Sequence, residues 1–165
     1  MYIGSRRKNI RLKGYDYSSY GYYFVTICTK NREECFGEIK NGIMRLNELG
    51  CVVAQCLQNI PLHFPHVKLD EWIVTPNHVH GVIINNNWQP NKFGPQSKNL
   101  ASIIRGFKIG VKKHATINNI NFTWQARFYD HIIRNDKSLN KIRKYIQNNP
   151  EKWEQDRNNS KNLFM

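Results

Sequence analysis

Acidic side chains are scarce in this 165-residue chain: 12 Asp and Glu stand against 25 Lys and Arg, a formal net charge of +13. Solubility does not require so large an excess, and it suits a polyanionic partner, nucleic acid first among them. No run of about 18 apolar residues occurs, which argues against a membrane-spanning helix. The N-terminal Met1-Tyr-Ile-Gly-Ser-Arg-Arg-Lys8 lacks the apolar core of a secretion signal, so the expectation is a soluble, intracellular protein. Cysteine is sparse too. Cys28, Cys35, Cys51 and Cys56 have no paired two-residue spacing. In a reducing compartment they read as buried small apolar residues, with a zinc cluster as the alternative. Neither an internal repeat nor a domain linker is visible. With 40% hydrophobic residues, the chain can fill one core, so residues 1–165 are expected to form a single domain.

Within that domain, residues 1–17 are basic and turn-rich and read as an arm, able either to lie along phosphates or simply to be solvated. Tyr22 to Thr29 is rich in β-branched and aromatic residues and predicts a strand, with a partner over Glu38 to Leu46 that turns at Asn41-Gly42. Leu49, Val52, Val53, Cys56, Leu57 and Ile60 recur at helical spacing until Pro61. Val67 to Asp70 and Trp72 to Thr75 read as two extended segments. Residues 85–99, with an Asn triplet, two prolines and a glycine, predict a flexible loop. A second helix over 100–114 carries an apolar stripe through Leu100, Ile103, Ile104, Phe107 and Val111, and a cationic one through Arg105, Lys108 and Lys112. A third spans 137–149, capped by Asp136 or Ser138 and ended by Pro150, and 151–165 form a tail. This α+β order predicts an antiparallel sheet with helices on one face.

The chemistry concentrates in Trp72-Ile-Val-Thr-Pro-Asn-His78-Val79-His80-Gly-Val-Ile-Ile84. Alternation along a strand puts His78 and His80 on one face and leaves Val79 and Ile83 for a core. Two imidazoles on one face can grip a divalent ion, although such pairs also occur in cupin-like barrels and metallohydrolases. No Glu at cupin spacing follows, and no Asp-His continuation of the metallo-β-lactamase kind, so a third ligand must come from elsewhere. Tyr145 and Asn149, one helical turn apart, place a phenol and an amide oxygen together. Two imidazoles and an amide oxygen suit magnesium or manganese with open positions better than a closed zinc site. Tyr129, in Arg127-Phe-Tyr-Asp-His131, is a rival for the nucleophile's role, and the bland alternatives are packing for Tyr145 and helix ending for Asn149.

Together these segments resemble the single-tyrosine HUH transposases, most closely the REP-associated tyrosine transposases. The likeness rests on the Gly21 to Thr29 strand, Thr75-Pro-Asn-His-Val-His80, Ile103-Ile104-Arg105-Gly-Phe107-Lys108, Trp124-Gln-Ala-Arg127-Phe-Tyr-Asp-His131-Ile-Ile-Arg134-Asn135 and Arg143-Lys-Tyr145-Ile-Gln-Asn-Asn149-Pro150. The resemblance implies a ferredoxin-like antiparallel sheet with the catalytic tyrosine on a C-terminal helix. It implies His78 and His80 as metal ligands with Asn149 as the third, where related insertion-sequence enzymes often use glutamine, and Tyr145 as nucleophile. It further implies a Mg2+ or Mn2+ cofactor, cleavage and rejoining of single-stranded DNA at hairpins or repeats through a 5′-phosphotyrosine, and a place at the bacterial nucleoid in the cytoplasm. Arg6, Arg7, Lys8, Arg105, Lys108, Lys112, Arg127, His131 and Arg134 are the expected DNA contacts, with Tyr15, Tyr17, Tyr20 and Trp88 available to stack on unpaired bases. The working unit is a monomer or a homodimer, as both occur among relatives. An HUH replication or mobilisation nickase, and a DNA-binding repressor without turnover, are the competing readings.

Overall fold

The computed structural model describes residues 11–89 and 98–162. In chain order the elements are β1 (Gly21–Cys28), β2 (Gly37–Lys40), β3 (Ile43–Leu46), α1 (Glu48–Gln58), α2 (Ile60–His63), β4 (Val67–Val74), β5 (His78–Asn85), α3 (Leu100–Ile117), β6 (Tyr129–Ile133) and α4 (Asp136–Gln147). Four of the strands form one antiparallel sheet in the order β4-β5-β1-β6. With α1 and α3 as the two crossovers, this is the ferredoxin-like arrangement.

Strand β1 sits centrally because it can be buried on both faces. Tyr23, Val25 and Ile27 project to one side, into a core completed by Val79 and Ile83 of β5, Leu49, Val53 and Leu57 of α1, and Ile103, Ile104, Phe107 and Val111 of α3. Phe24 projects to the other side, where Val82, Ile133, Leu139 and Ile146 form a second, smaller cluster. Helix α4 therefore lies on the face opposite α1 and α3, which corrects the expectation of helices on one face. Its Leu139, Ile142 and Ile146 recur at helical spacing and seat it there. Burying one such side chain fully contributes about 1.5–3 kcal/mol. The bidentate pairing of Arg143 with Asp70 ties the same helix to β4 (Nε–Oδ1 3.0 Å, Nη2–Oδ2 2.5 Å).

The hairpin β2–β3 turns at Asn41-Gly42 as predicted, both residues at positive φ (51° and 72°), the geometry of a type I′ turn. It forms its own two-stranded sheet instead of pairing with β1, whose edges are taken by β5 and β6. Pro61 does not end the α1 run abruptly but opens the short α2, where a first-turn proline is tolerated. The two extended segments after it are one strand, β4, with an irregularity between Leu69 and Trp72. Helix α3 runs to Ile117, past the expected end. Helix α4 is capped by Asn135, whose side chain accepts from Ser138 N, rather than by Asp136 or Ser138.

Three outlying segments also depart from expectation. Of the basic arm, residues 1–10, and with them Arg6, Arg7 and Lys8, lie outside the described residues, while Tyr15 and Tyr17 pack against the core beside Tyr23. Of the 85–99 loop, residues 90–97 lie outside the described part, and Asn85 and Asn87 are buried, both donating to Ser18 O. The tail is no mere extension: Trp153, Asp156, Asn158 and Asn159 are buried. Among the cysteines, Cys28 is buried and Cys51 is exposed, and all four are free.

Candidate metal and nucleophile site

The tight Thr75-Pro76-Asn77 link brings β5 in against β4, with Thr75 N donating to His78 O at 2.9 Å. From there strand alternation sets His78 opposite Cys28 and His80 opposite Thr26, both imidazoles on the α4 face and both buried. Their Nε2 atoms lie 2.9 Å apart. Asn77 Nδ2 donates to Arg32 O and to Asn158 O, so its Oδ1 is left to accept from His78 Nδ1 at 2.8 Å. The His78 proton is thereby placed on Nδ1, and Nε2 presents a lone pair. His80 Nδ1 pairs with Thr26 Oγ1 at 2.9 Å. A hydroxyl both donates and accepts, so His80 can give its Nε2 proton to His78, or carry the proton on Nδ1 and present a second lone pair. Burial, reinforced at His78 by its neighbour His80, holds the His78 pKa well below the ordinary value. Burial likewise lowers His80, to about 4. Both are therefore neutral, which is the state that binds metal.

Tyr145 reaches this pair from α4, its hydroxyl 3.3 Å from His80 Nε2 and 3.4 Å from Asp156 Oδ2. Burial, with the Asp156 charge beside it, pushes the phenol up to about 12. Asn149 lies one turn further on, just past the helix end, and is buried. Its Nδ2 donates to Asp156 Oδ2 at 2.7 Å, while its Oδ1, the atom expected to ligate, is buried with no hydrogen-bond partner. Asp156 was absent from the sequence-based set. It is placed by the short 3-10 helix Trp153–Gln155, by Asn158 N donating to its Oδ1 at 2.6 Å, and by the Trp153 ring stacked 5.9 Å from His78. His78, His80 and Asp156 offer ligand atoms all within 4.8 Å of one another, so among the described residues these three could hold a metal ion. Two neutral imidazoles, a carboxylate and an orphaned amide oxygen fit a divalent cation. No cysteine joins the cluster.

Beside the cluster opens a cleft of about 930 Å3 lined by Thr26, Lys30, Arg32, Arg127, Tyr129 and Arg157 among others. Tyr129, the rival nucleophile, is exposed on β6, under the Arg157 guanidinium (5.9 Å), and Phe24 separates it from Tyr145. Arg105, His131 and Arg134 are exposed. Lys108 and Lys112 are engaged within the fold: Lys108 Nζ donates to Gln125 O (2.9 Å) and Arg127 O (2.6 Å), and Lys112 Nζ to Phe122 O. Burial takes Lys108 down to about 8. Tyr20 and Trp88 stack on each other at 4.0 Å, with Trp88 exposed.

Residues 17–149 match the family model for IS200-like transposases. The chain belongs to the IS200-like transposase family. A protein of Haemophilus influenzae (strain ATCC 51907 / DSM 11121 / KW20 / Rd), itself described as uncharacterized, is 47% identical over 164 residues, covering 91% of each chain. Among solved structures, a REP-associated tyrosine transposase bound to a REP hairpin superposes with a TM-score of 0.61 at 20% identity, over 87% of this chain and 74% of that one. The ferredoxin-like sheet is thus a fold shared with a REP-associated tyrosine transposase. No helix among the described residues is long and apolar enough to cross a membrane.

Proposed function

We propose that this transposase cuts and rejoins single-stranded DNA, with Tyr145 as nucleophile and His78, His80, Asp156 and the Asn149 oxygen as the set that holds Mg2+ or Mn2+. The observation that carries the reading is the convergence of the Tyr145 hydroxyl on His80 Nε2 and Asp156 Oδ2. The ion, when bound, polarises the scissile phosphate and offsets charge on its oxygens. Everything else falls to the protein. The cleft, with Lys30, Arg32, Arg127 and Arg157 in its lining, holds the strand by its phosphates. Tyr145, neutral at rest, loses its proton only as it attacks, and Asp156 Oδ2 is within reach to accept it. The bond from Tyr145 Oη to phosphorus forms as the bond from phosphorus to the 3′ oxygen breaks, leaving a 5′-phosphotyrosine and a 3′-hydroxyl. The reverse attack, by the same or another 3′-hydroxyl, reseals the strand.

Hairpin-bearing single strands are the proposed substrate class, by analogy with the hairpin held by the structural relative. The protein would then work at DNA in the bacterial cytoplasm. Incubating it with labelled hairpin-bearing single strands and manganese, then resolving the products under denaturing conditions, tests the reading. A covalent adduct that EDTA and Tyr145→Phe each abolish is expected. An adduct that survives either, or tight binding with no adduct under any divalent metal, overturns it.

A further inference from the structure

A second concavity, about 550 Å3, runs along the outer side of α3. Its floor is apolar: Ile104, Ile109, Trp124 and Phe128 line it. Its rim is cationic, with Arg11, Arg105, Lys108, Lys112 and Arg127, and among the described residues no acidic one lines it. Arg11 is additionally paired with Asp130 at 3.9 Å and sits over the Phe128 ring at 4.9 Å. Thr123, Trp124, Arg127 and Phe128 line both this groove and the 930 Å3 cleft beside the histidine cluster, so the segment 123–128 is the ridge between them.

That ridge is held rigidly. Trp124 Nε1 donates to Lys108 O at 3.1 Å while its ring packs against Phe36, Phe107 and Phe122. Lys30 N donates to Thr123 O, and Gln125 N to Cys28 O, both at 2.9 Å. Arg127 has a left-handed backbone (φ 67°), uncommon for an arginine, and its carbonyl is the one that Lys108 Nζ clasps at 2.6 Å. Lys108 thus acts as a fastener for the ridge, and Arg127 stands at the crest, facing both concavities.

We propose that the α3 groove is a second track for single-stranded DNA, adjoining the cationic 930 Å3 cleft across the Arg127 ridge. A one-sign rim suits phosphates, and an apolar, partly aromatic floor suits unpaired bases whatever their sequence. An acidic protein segment would be served by the rim alone and gains nothing from the adjoining cleft. The proposal rests on the strand-transfer reading for the identity of its ligand.

The test compares, in a Tyr145→Phe background that cannot cleave, a short single strand confined to the cleft with strands extended by about eight nucleotides on either side. Fluorescence anisotropy across a salt series reads the ratio of affinities. Extension on one side should tighten binding at least tenfold. Ile109→Glu and Arg105→Glu should each remove most of that gain, while Ile109→Met keeps it. Arg105→Glu should also flatten the slope of log affinity against log salt by about 0.7 for each phosphate the protein no longer neutralises. Extension that adds nothing on either side overturns the proposal, as do variants that leave the ratio unchanged. Failure of the adduct assay on the wild-type protein, with the length dependence intact, would instead remove the strand-transfer reading and leave the groove.

Discussion

The Tyr145 hydroxyl lies 3.3 Å from Nε2 of His80, although the two residues are 65 positions apart and come from opposite layers, a helix and the sheet beneath it. Asp156 closes the arrangement from a third direction, 3.4 Å from the same hydroxyl. A phenol that stays 43% exposed thus meets a buried imidazole pair and a buried carboxylate.

Asp156→Asn removes the only carboxylate of the cluster and leaves its shape. Affinity for Mn2+, measured by calorimetry on the otherwise unchanged protein, should fall at least tenfold, and adduct formation should fall with it. Equal affinity in the two proteins would take Asp156 out of the ligand set and return the third place to Asn149 alone.

The hydroxyl of Thr26 decides whether His80 can turn a lone pair toward an ion. Thr26→Val leaves His80 Nδ1 buried without its partner, at a cost of about 1–3 kcal/mol in stability. Metal affinity should drop roughly 10–100-fold, as for other outer partners of ligating histidines. Reduced stability without any change in metal binding would contradict the role.

Acid should unfold the metal-free protein earlier than an ordinary carboxylate titration would. An exposed histidine titrates near 6.5, whereas burial holds His80 at about 4 and His78 well below its usual value. Between about pH 6.5 and 4 the unfolded chain binds protons that the folded one refuses, so stability falls as pH drops through that window. The slope is about 1.4 kcal/mol per pH unit for each histidine. Denaturant midpoints in EDTA read this directly, and a flat profile across the window would refute it.

The guanidinium of Arg143 holds the Asp70 carboxyl below its usual pKa and pins α4, with Tyr145, to β4. A carboxyl depressed in the folded state stabilises above its unfolded pKa of about 3.9, and that contribution disappears as pH falls through the folded value. Asp70→Asn should therefore lower the Tm at neutral pH, slow adduct formation by loosening α4, and approach wild type in stability as acid protonates the folded-state carboxyl. A Tm deficit that persists unchanged in acid would mean that the pairing is not electrostatic.

What could be read from the chain was local. The His78 and His80 alternation, the α1 and α3 stripes and the Asn41-Gly42 turn depend on near neighbours, and the structure places all of them. Strand β6 was missed because Tyr129–Ile133 is short and carries Asp130 and His131 within it, so neither alternation nor an apolar run is clear. The hairpin's separation from β1, and α4's place on the opposite face, follow from pairings and packing distant in sequence. Asp156 sits in Asp-Arg-Asn-Asn-Ser, without periodicity. Its one signal was an acid three residues after a tryptophan in a tail of mixed charge, which acquires meaning only when Trp153 folds over His78.

The most direct measurement is mass spectrometry of the tryptic peptides from a manganese-dependent adduct with single-stranded DNA. The account predicts a nucleotide-bearing peptide beginning at Tyr145, after cleavage at Lys144, with the phosphate on the phenol. The same modification on Tyr129, or on no tyrosine at all, would contradict it.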